Sequence, residues 1–242
     1  MNPNGNILIF TPTLGLPADP STYQAMLLKV INQIQARGMG LAYYPTYRQL
    51  WHQANNMAWD VAFKHGFEYI LRIDDDIHDI PDDAVAKLLD ANKDIIGAAY
   101  PNRRFPFMTA AMNRTKDKSL IEICVTNDTC LQYVTPVEGD EVMPCELVGF
   151  GFTLIKVAPF SLLDRPLYMG NEDVPDDTYL AQLCLDHGIQ QWVHFGVKVA
   201  HAHVNYMNNG YLYNAGVFER INAQPKEQIE KNLQEANVSV NQ

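Results

Sequence analysis

Several features that would place this chain in a common functional class are missing from its sequence. The four cysteines include no Cys-x-x-Cys pair, which argues against a zinc site built on thiolates. No apolar run of about 18 residues occurs, and the first residues lack a basic segment followed by an apolar one. No transmembrane helix and no signal peptide are therefore predicted. We expect a cytoplasmic protein with free thiols.

Signals for the usual phosphate-binding classes are also missing. The formal net charge is -10 and no basic patch is visible, which argues against nucleic acid as a partner. The Gly-rich fingerprints of Rossmann dinucleotide enzymes and of P-loop ATPases are absent. An acidic protein that handles phosphates needs a local cation, and a bound metal ion is the simplest source.

The chain does contain apolar segments that are predicted to form strands and helices in regular alternation. Its 242 residues are 47% hydrophobic, enough for a sizeable core. Strands separated by helices of this length predict a parallel sheet whose ligands bind at the carboxyl ends of the strands. In the first half, strands are predicted at residues 6–11, 39–44, 67–73 and 94–99, and helices at 20–37, 49–65 and 81–91.

The second half is less regular. With no linker in view, we predict one domain over residues 1–204, followed by a loop and helical tail over 205–242. The predicted elements are a loop at 100–118, a β excursion at 119–137, one strand at 145–156, a helix at 176–187 and a strand at 190–200.

Three consecutive aspartates, Asp74, Asp75 and Asp76, end the third predicted strand. Adjacent carboxylates repel one another unless a cation lies among them. At the carboxyl end of a parallel strand, this pattern favours a divalent metal that serves a phosphate-bearing ligand. Strand alternation would put Asp74 and Asp76 on one side and Asp75 on the other. The alternative is a solvated turn that caps the next helix.

Two histidines and two acidic pairs add candidate site residues. His201 and His203 follow the last predicted strand, and either would complete an oxygen and nitrogen ligand set that suits Mn²⁺, although a histidine there is also often a plain surface residue. Asp176 and Asp177 open a helix, where acids are common caps, and either could instead act as a general base. The pair Glu172-Asp173 is a rival for that role.

Glycines and arginines near the same edge permit two interpretations each. The glycines of Gly149-Phe150-Gly151-Phe152 mark either the close approach of a ligand or a bulge. Arg72, Arg103 and Arg104 could pair with phosphate oxygens or be solvated.

In their order along the chain, these features resemble the GT-A fold glycosyltransferases, particularly the family-two-like enzymes that use nucleotide-diphospho-sugars. The stretch ILRIDDDIHDIPDDAVAKLL resembles their metal-site strand and the helix after it, and VGFGFTLIKVAPFSLL resembles their acceptor-side strand. The stretch DDTYLAQLCLDHGIQQWVHFGVKVAHAHV resembles their base-bearing helix and the strand that ends in a metal-binding histidine. The resemblance covers about residues 5–204.

This resemblance implies a fold and an activity. The fold would be an α/β, GT-A type Rossmann-like sandwich with a mostly parallel central sheet and a smaller β and loop portion on the acceptor side. The activity would be transfer of a sugar, with inversion, from a nucleotide-diphospho-sugar to a hydroxyl of a glycan, a lipid-linked acceptor or a protein. The cofactor would be Mn²⁺ or Mg²⁺.

The resemblance also implies residue roles. The metal would be held by Asp76 and His201, with Asp74 on the metal or the nucleotide ribose. Asp177 is preferred to Asp176 as the base. Thr11 and Pro12 would contact the nucleotide. Apart from the resemblance, Asp75 and Arg72 are further candidates for nucleotide contacts.

The chain departs from the family pattern in two places. Relatives often carry Arg-Asn on the second helix, where this chain has Ala54-Asn55-Asn56, and Glu-Asp where it has Asp176-Asp177. Two other functions stay open. A sugar-1-phosphate nucleotidyltransferase would normally have a basic, Gly-rich loop after the first strand, and residues 11–17 contain no base. A non-catalytic protein that binds nucleotide-sugars or glycans is the other.

Overall fold

The first half of the chain alternates strand and helix, as predicted. The computed structural model describes residues 5–13, 20–102, 108–169 and 174–201. The predicted elements of this half lie where expected, with bounds that differ by at most three residues at either end. The strands are β1 (Asn6–Thr13), β2 (Gly40–Tyr47), β3 (Tyr69–Ile73), β4 (Ile77–His78) and β5 (Ile95–Ala99), and the helices are α1 (Pro20–Ala36), α2 (Trp51–His65) and α3 (Ala84–Asp90).

The second half adds shorter elements and the far side of the sheet. Its two helices are α4 (Leu120–Thr126) and α5 (Asp176–Asp186). Its strands are β6 (Ala111–Arg114), β7 (Leu131–Tyr133), β8 (Val142–Cys145), β9 (Leu147–Val148), β10 (Phe152–Lys156), β11 (Gln191–Lys198) and β12 (Ala200–His201).

A seven-stranded sheet forms the centre of the fold, in the order β2-β1-β3-β10-β5-β11-β8. Strands β2, β1, β3, β5 and β11 run in one direction, while β10 and β8 run against their neighbours. The predicted α/β architecture with a mostly parallel central sheet is therefore confirmed, and it is consistent with a GT-A type Rossmann-like fold. Two small sheets, β7-β6-β9 and β12-β4, supply the smaller β portion.

Helices cover both faces of the central sheet, which explains why its strands are apolar without interruption. Successive side chains of a strand point to opposite faces. In β1, Ile7 and Ile9 pack with α1 and α3, whereas Leu8 and Phe10 pack with α2 and α5. Both sets are fully buried. The core thus consists of two layers, one on each side of the sheet.

The predicted β excursion over 119–137 is wrong in its first part. Residues Leu120–Thr126 form α4, and the Ser119 hydroxyl oxygen accepts the N–H of Glu122 at 3.2 Å. Ser-x-x-Glu is a helix-start signal that outweighs the strand preference of Ile121, Ile123 and Val125. The cap at Ser119 is the signal that the prediction missed.

The predicted single strand over 145–156 is also wrong. Cys145 ends β8, β9 joins the small sheet beside β6, and β10 enters the central sheet. The chain changes sheets at Gly149–Gly151, which is where the sequence has its glycines. The predicted loop over 100–118 likewise contains a strand, β6, because β9 pairs with it.

The remaining predictions for the whole chain have mixed outcomes. All four cysteines are free thiols, as expected. Within the described ranges, no helix combines the length and the apolar character that a membrane crossing requires. The tail over 205–242 lies outside the described residues, so the boundary at residue 204 stays a prediction.

Candidate functional site

The three aspartates form a turn at the carboxyl end of β3. The strand ends at Ile73, and the Asp74 N–H donates to the Gly151 carbonyl at 2.9 Å. The Asp74 carbonyl then accepts the N–H of Ile77 at 3.2 Å, which closes the turn. Because the residues leave the strand, their side chains are not restricted to the two faces that strand alternation would give.

Each aspartate carboxylate has a different partner. Asp74 Oδ1 accepts Nε of Arg72 at 3.1 Å, and Asp75 Oδ2 accepts the Thr13 hydroxyl at 2.5 Å. Asp76 Oδ2 lies 3.4 Å from Nε2 of His201. The turn therefore relieves the repulsion within the triplet by distributing the three charges among separate partners.

His201 is held in place by its strand and its ring. It lies in β12, opposite Ile77 of β4, and therefore next to the aspartate turn. Its Nδ1 is 3.1 Å from the Pro101 carbonyl oxygen, which can only accept, so Nδ1 is the protonated nitrogen of the neutral ring. Nε2 is then the nitrogen with a lone pair, and it faces Asp76. A second partner of this kind is what orients metal-ligating histidines.

This pair fits part of a divalent-metal site. Asp76 and His201 bring one oxygen and one nitrogen donor together, a set that suits Mn²⁺, and metals that serve phosphates usually take few protein ligands. In the described part of the chain, no group of three or more Asp, Glu, His or Cys side chains is close enough to hold a metal alone. The predicted ligands Asp74, Asp76 and His201 thus do not form a complete three-residue site.

Arg72 lies at the centre of the polar network. Its side chain is 3% exposed, and its Nη1 donates to Asn55 Oδ1 at 3.1 Å and to Asp176 Oδ2. The guanidinium also lies over the Phe150 ring, 4.8 Å from its centroid. Burial alone would lower the pKa of Arg72, but the carboxylates of Asp176 and Asp74 outweigh it and raise that pKa. The predicted contact between Arg72 and the nucleotide stays a prediction.

Asp176 is the carboxylate that Arg72 neutralises. Burial would raise its pKa, but the charge and hydrogen bond of Arg72, with a further hydrogen bond of 2.9 Å from Asn55, lower it. Asp176 therefore stays ionised and engaged. That state suits a structural anion better than a proton acceptor.

Asp177 has the opposite environment. Burial, and then the charge of Asp176, raise its pKa to about 7, while the N–H of Thr178 donates to its Oδ1 at 2.7 Å. A carboxylate that titrates near neutral pH can take a proton from a substrate and release it again. The two neighbouring carboxyl groups thus have pKa values shifted in opposite directions, and the preference for Asp177 as the base stays a prediction.

A cavity of about 310 Å³ joins these groups at the carboxyl ends of β3 and β5. It is lined by Arg72, Asp74, Asp176, Asp177 and His201 together with uncharged residues, among them Trp51, Tyr100, Asn102, Gly149 and Phe150. The cavity thus brings together Asp74, His201, Asp176 and Asp177, while Asp76 does not line it and reaches it through His201. Trp51, which is 49% exposed, was not recognised from the sequence because nothing local distinguishes it from a surface aromatic residue.

Tyr100 forms the wall between the aspartate turn and the glycine segment. Its hydroxyl accepts the N–H of Gly151 at 2.8 Å, and its ring meets His201 edge-on at 5.4 Å between centroids. Burial, followed by the charge of Asp74, raises the pKa of Tyr100, so the phenol keeps its proton. The glycine motif therefore makes a close approach to another part of the chain.

The predicted nucleotide contacts at the end of β1 are not in this cavity. Thr11 is buried within β1, where its hydroxyl accepts the Tyr23 hydroxyl at 2.7 Å, and Pro12 pairs in register with Thr46. Among the described residues, neither Thr11 nor Pro12 lines the cavity. The residues His203, Glu172, Asp173, Arg103 and Arg104 lie outside the described ranges, so their predicted roles stay predictions.

Comparisons with known proteins bear on the fold. No family model matches the chain, and no curated protein matches its sequence. Among solved structures, A197 from STIV is similar with a TM-score of 0.50 at 15% identity, covering 82% of this chain and 86% of that chain. A mutant of the Drosophila beta-1,4-galactosyltransferase 7, solved with manganese, UDP-Gal and xylobiose, gives a TM-score of 0.45 at 11% identity, covering 92% and 81%. At these identities, the likeness to A197 concerns the α/β fold alone.

Proposed function

We propose that the protein is a metal-dependent glycosyltransferase, which moves a sugar from a nucleotide-diphospho-sugar to an acceptor hydroxyl. One observation carries this proposal. A carboxylate with a pKa near 7, Asp177, shares a cavity with His201, whose Nε2 faces Asp76. A base and a metal-ligand pair at the carboxyl ends of parallel strands support transfer of an activated sugar with inversion.

The Asp76–His201 pair would hold the metal and, through it, the donor. Mn²⁺ or Mg²⁺ bound there would supply positive charge to the diphosphate as it leaves. The open coordination positions left by a two-residue site suit phosphate oxygens and water. Asp74, which lines the same cavity, is the candidate for the ribose or for the metal. The nucleotide would extend beyond the cavity and contact Asp75, Thr11 and Pro12 there.

Asp177 would act as the base. It would take the proton of the acceptor hydroxyl while the acceptor oxygen bonds to the anomeric carbon and the bond from that carbon to the diphosphate oxygen breaks. Displacement in one step inverts the anomeric configuration. Asp176, held by Arg72 and Asn55, would keep the negative charge that holds the pKa of Asp177 high. The acceptor would be a glycan, a lipid-linked molecule or a protein.

Turnover of nucleotide-diphospho-sugars tests this proposal directly. The protein is incubated with a panel of these donors and simple glycoside acceptors, with and without Mn²⁺, and release of nucleoside diphosphate is measured. We expect metal-dependent release that an acceptor accelerates and that Asp177→Asn abolishes. Release of pyrophosphate from a nucleoside triphosphate would instead identify a nucleotidyltransferase. Binding without any turnover would identify a non-catalytic protein.

A further inference from the structure

Tyr100 is a buried tyrosine that contributes to the wall of the cavity. It directly follows β5, its side chain belongs to the core, and only 5% of the residue is exposed. Its hydroxyl lies against the glycine segment, where Gly149 lines the same cavity. A ring buried in the core therefore holds a polar group next to the cavity wall.

The hydroxyl has an unused hydrogen-bond donor. Its oxygen accepts the Gly151 N–H at 2.8 Å, which leaves the phenolic proton to be donated elsewhere. In the part of the chain that the structure describes, no oxygen or nitrogen accepts that proton. A buried donor without an acceptor costs free energy, and such groups in native proteins call for an explanation such as a ligand.

The glycine segment is shaped around this hydroxyl. A Cβ atom at Gly149 would lie 2.3 Å from the Tyr100 oxygen, and a Cβ at Gly151 would lie 2.8 Å from Cζ of the same ring. Real Cβ atoms do not approach other atoms so closely. The absence of side chains at the two glycines thus leaves the space that the Tyr100 hydroxyl occupies next to the cavity wall.

The neighbours of Tyr100 indicate which ligand atom would accept its proton. The ring packs edge-on against His201, which faces Asp76 through Nε2. A phosphate bound at that pair would bring charged oxygens next to the cavity that Tyr100 lines, and hydrogen bonds to charged oxygens are stronger than those to neutral ones.

We propose that the Tyr100 hydroxyl donates a hydrogen bond to an oxygen of the donor's diphosphate and stabilises the charge that grows there as the sugar leaves. This inference rests on the proposed function. The proton stays on the tyrosine throughout. The bond to the diphosphate oxygen breaks, its electron pair remains on that oxygen, and the hydrogen bond strengthens with the charge.

Tyr100→Phe tests this role, because it removes only the hydroxyl. We expect kcat to fall by about 10²-fold, the scale for losing one donor to a developing oxyanion. With Mn²⁺ present, affinity for a nucleoside diphosphate should fall by about tenfold, as for loss of a hydrogen bond to a charged group. Affinity for the free nucleoside, which has no phosphate, should not change.

A matched control separates this role from a structural one, since Tyr100→Phe also deprives the Gly151 N–H of its acceptor. The buried hydroxyl of Thr153 donates to the Gly149 carbonyl at 2.8 Å. Thr153→Val therefore loosens the same segment without removing a side chain that lines the cavity. Near-normal kcat in Thr153→Val, with the loss in Tyr100→Phe, supports the inference. Equal losses in the two variants, or equal weakening of nucleoside and nucleoside diphosphate, would overturn it.

The outcome for the unaltered protein distinguishes this inference from the proposed function. If the unaltered protein binds no nucleoside diphosphate in a metal-dependent way, both are wrong. If it binds and turns over while Tyr100→Phe behaves identically, only the role of Tyr100 is wrong.

Discussion

Arg72 and Asp176 form a buried ion pair that connects β3 to α5 across 104 residues of sequence. The arginine side chain is 3% exposed and that of the aspartate 15%. Asn55 donates to the same carboxylate oxygen, so three elements converge on one buried anion. The pair positions the start of α5, and with it Asp177, against the aspartate turn.

Removing one partner of this pair should be strongly destabilising. We expect Arg72→Met to lower the free energy of unfolding by about 3–5 kcal/mol, because it leaves Asp176 buried without its cation. Chemical denaturation measures this loss. The control is Arg37→Met, which breaks the exposed pair of Arg37 with Asp90 and should cost about 0–1 kcal/mol. Similar losses in both variants would show that the buried pair contributes no more to the free energy of unfolding than the exposed pair does.

The rate should depend on pH through the ionisation of Asp177. Only its deprotonated form can accept a proton, and its pKa is raised to about 7. We expect kcat/KM at saturating Mn²⁺ to rise with pH through about 7 and then level off. Saturating metal keeps any change in metal binding out of the pH profile. A rate that is already constant from pH 5 upward would contradict the assignment of Asp177 as the base.

The free energy of unfolding should change with pH in the opposite direction, through ionisation of the same carboxylate. Because the pKa of Asp177 is raised in the folded state, the folded protein holds this proton more tightly than the unfolded chain does. Stability is therefore lost as the pH rises from about 4 to about 7, and the loss is complete above that range.

Asp177→Asn removes the charge and keeps an oxygen for the Thr178 N–H. We expect this variant to melt at a higher temperature than the unaltered protein at pH 8, and at a similar temperature near pH 4. Thermal unfolding across that range is the measurement. The exposed carboxylate in Asp60→Asn provides a control that should change stability by less than about 0.5 kcal/mol. An Asp177→Asn variant that is less stable at pH 8 would contradict the raised pKa.

The metal-ligand pair should be needed for activity. Asp76→Asn and His201→Ala should each lower kcat/KM by at least about 10²-fold, the scale for losing one key electrostatic element. Asp82→Asn is the matched control, since Asp82 is an exposed aspartate that pairs with Lys29 of α1. It should turn over normally. Near-normal turnover in Asp76→Asn would remove the basis for the metal assignment.

Local pattern was sufficient to predict the elements of the first half except the short strand β4. Apolar runs such as Ile7–Phe10 have few alternatives when helices of regular spacing lie between them, and the aspartate triplet lies at the carboxyl end of β3, as predicted. The preference for Asp177 over Asp176 and the proximity of His201 to the aspartates were inferred from the family resemblance, and the geometry is compatible with both.

Tertiary contacts decided the parts that could not be predicted. The partners of Arg72 come from α2 and α5, and no local signal places a charged residue in the core of a strand. The division of residues 145–156 between two sheets depends on pairing with β6, which lies within a segment predicted to be a loop. The contact of Tyr100 with Gly149 and Gly151 likewise depends on the folded chain.

The most direct test measures the binding of nucleoside diphosphates with and without Mn²⁺, with thermal unfolding as the readout. At about a hundredfold excess over the dissociation constant, a ligand that binds only the folded state adds about 2.7 kcal/mol to its stability. We predict such a stabilisation only when Mn²⁺ and a nucleoside diphosphate are present together, and its loss in Asp76→Asn. If no nucleoside diphosphate produces a metal-dependent shift, the proposal of a metal-dependent glycosyltransferase is contradicted.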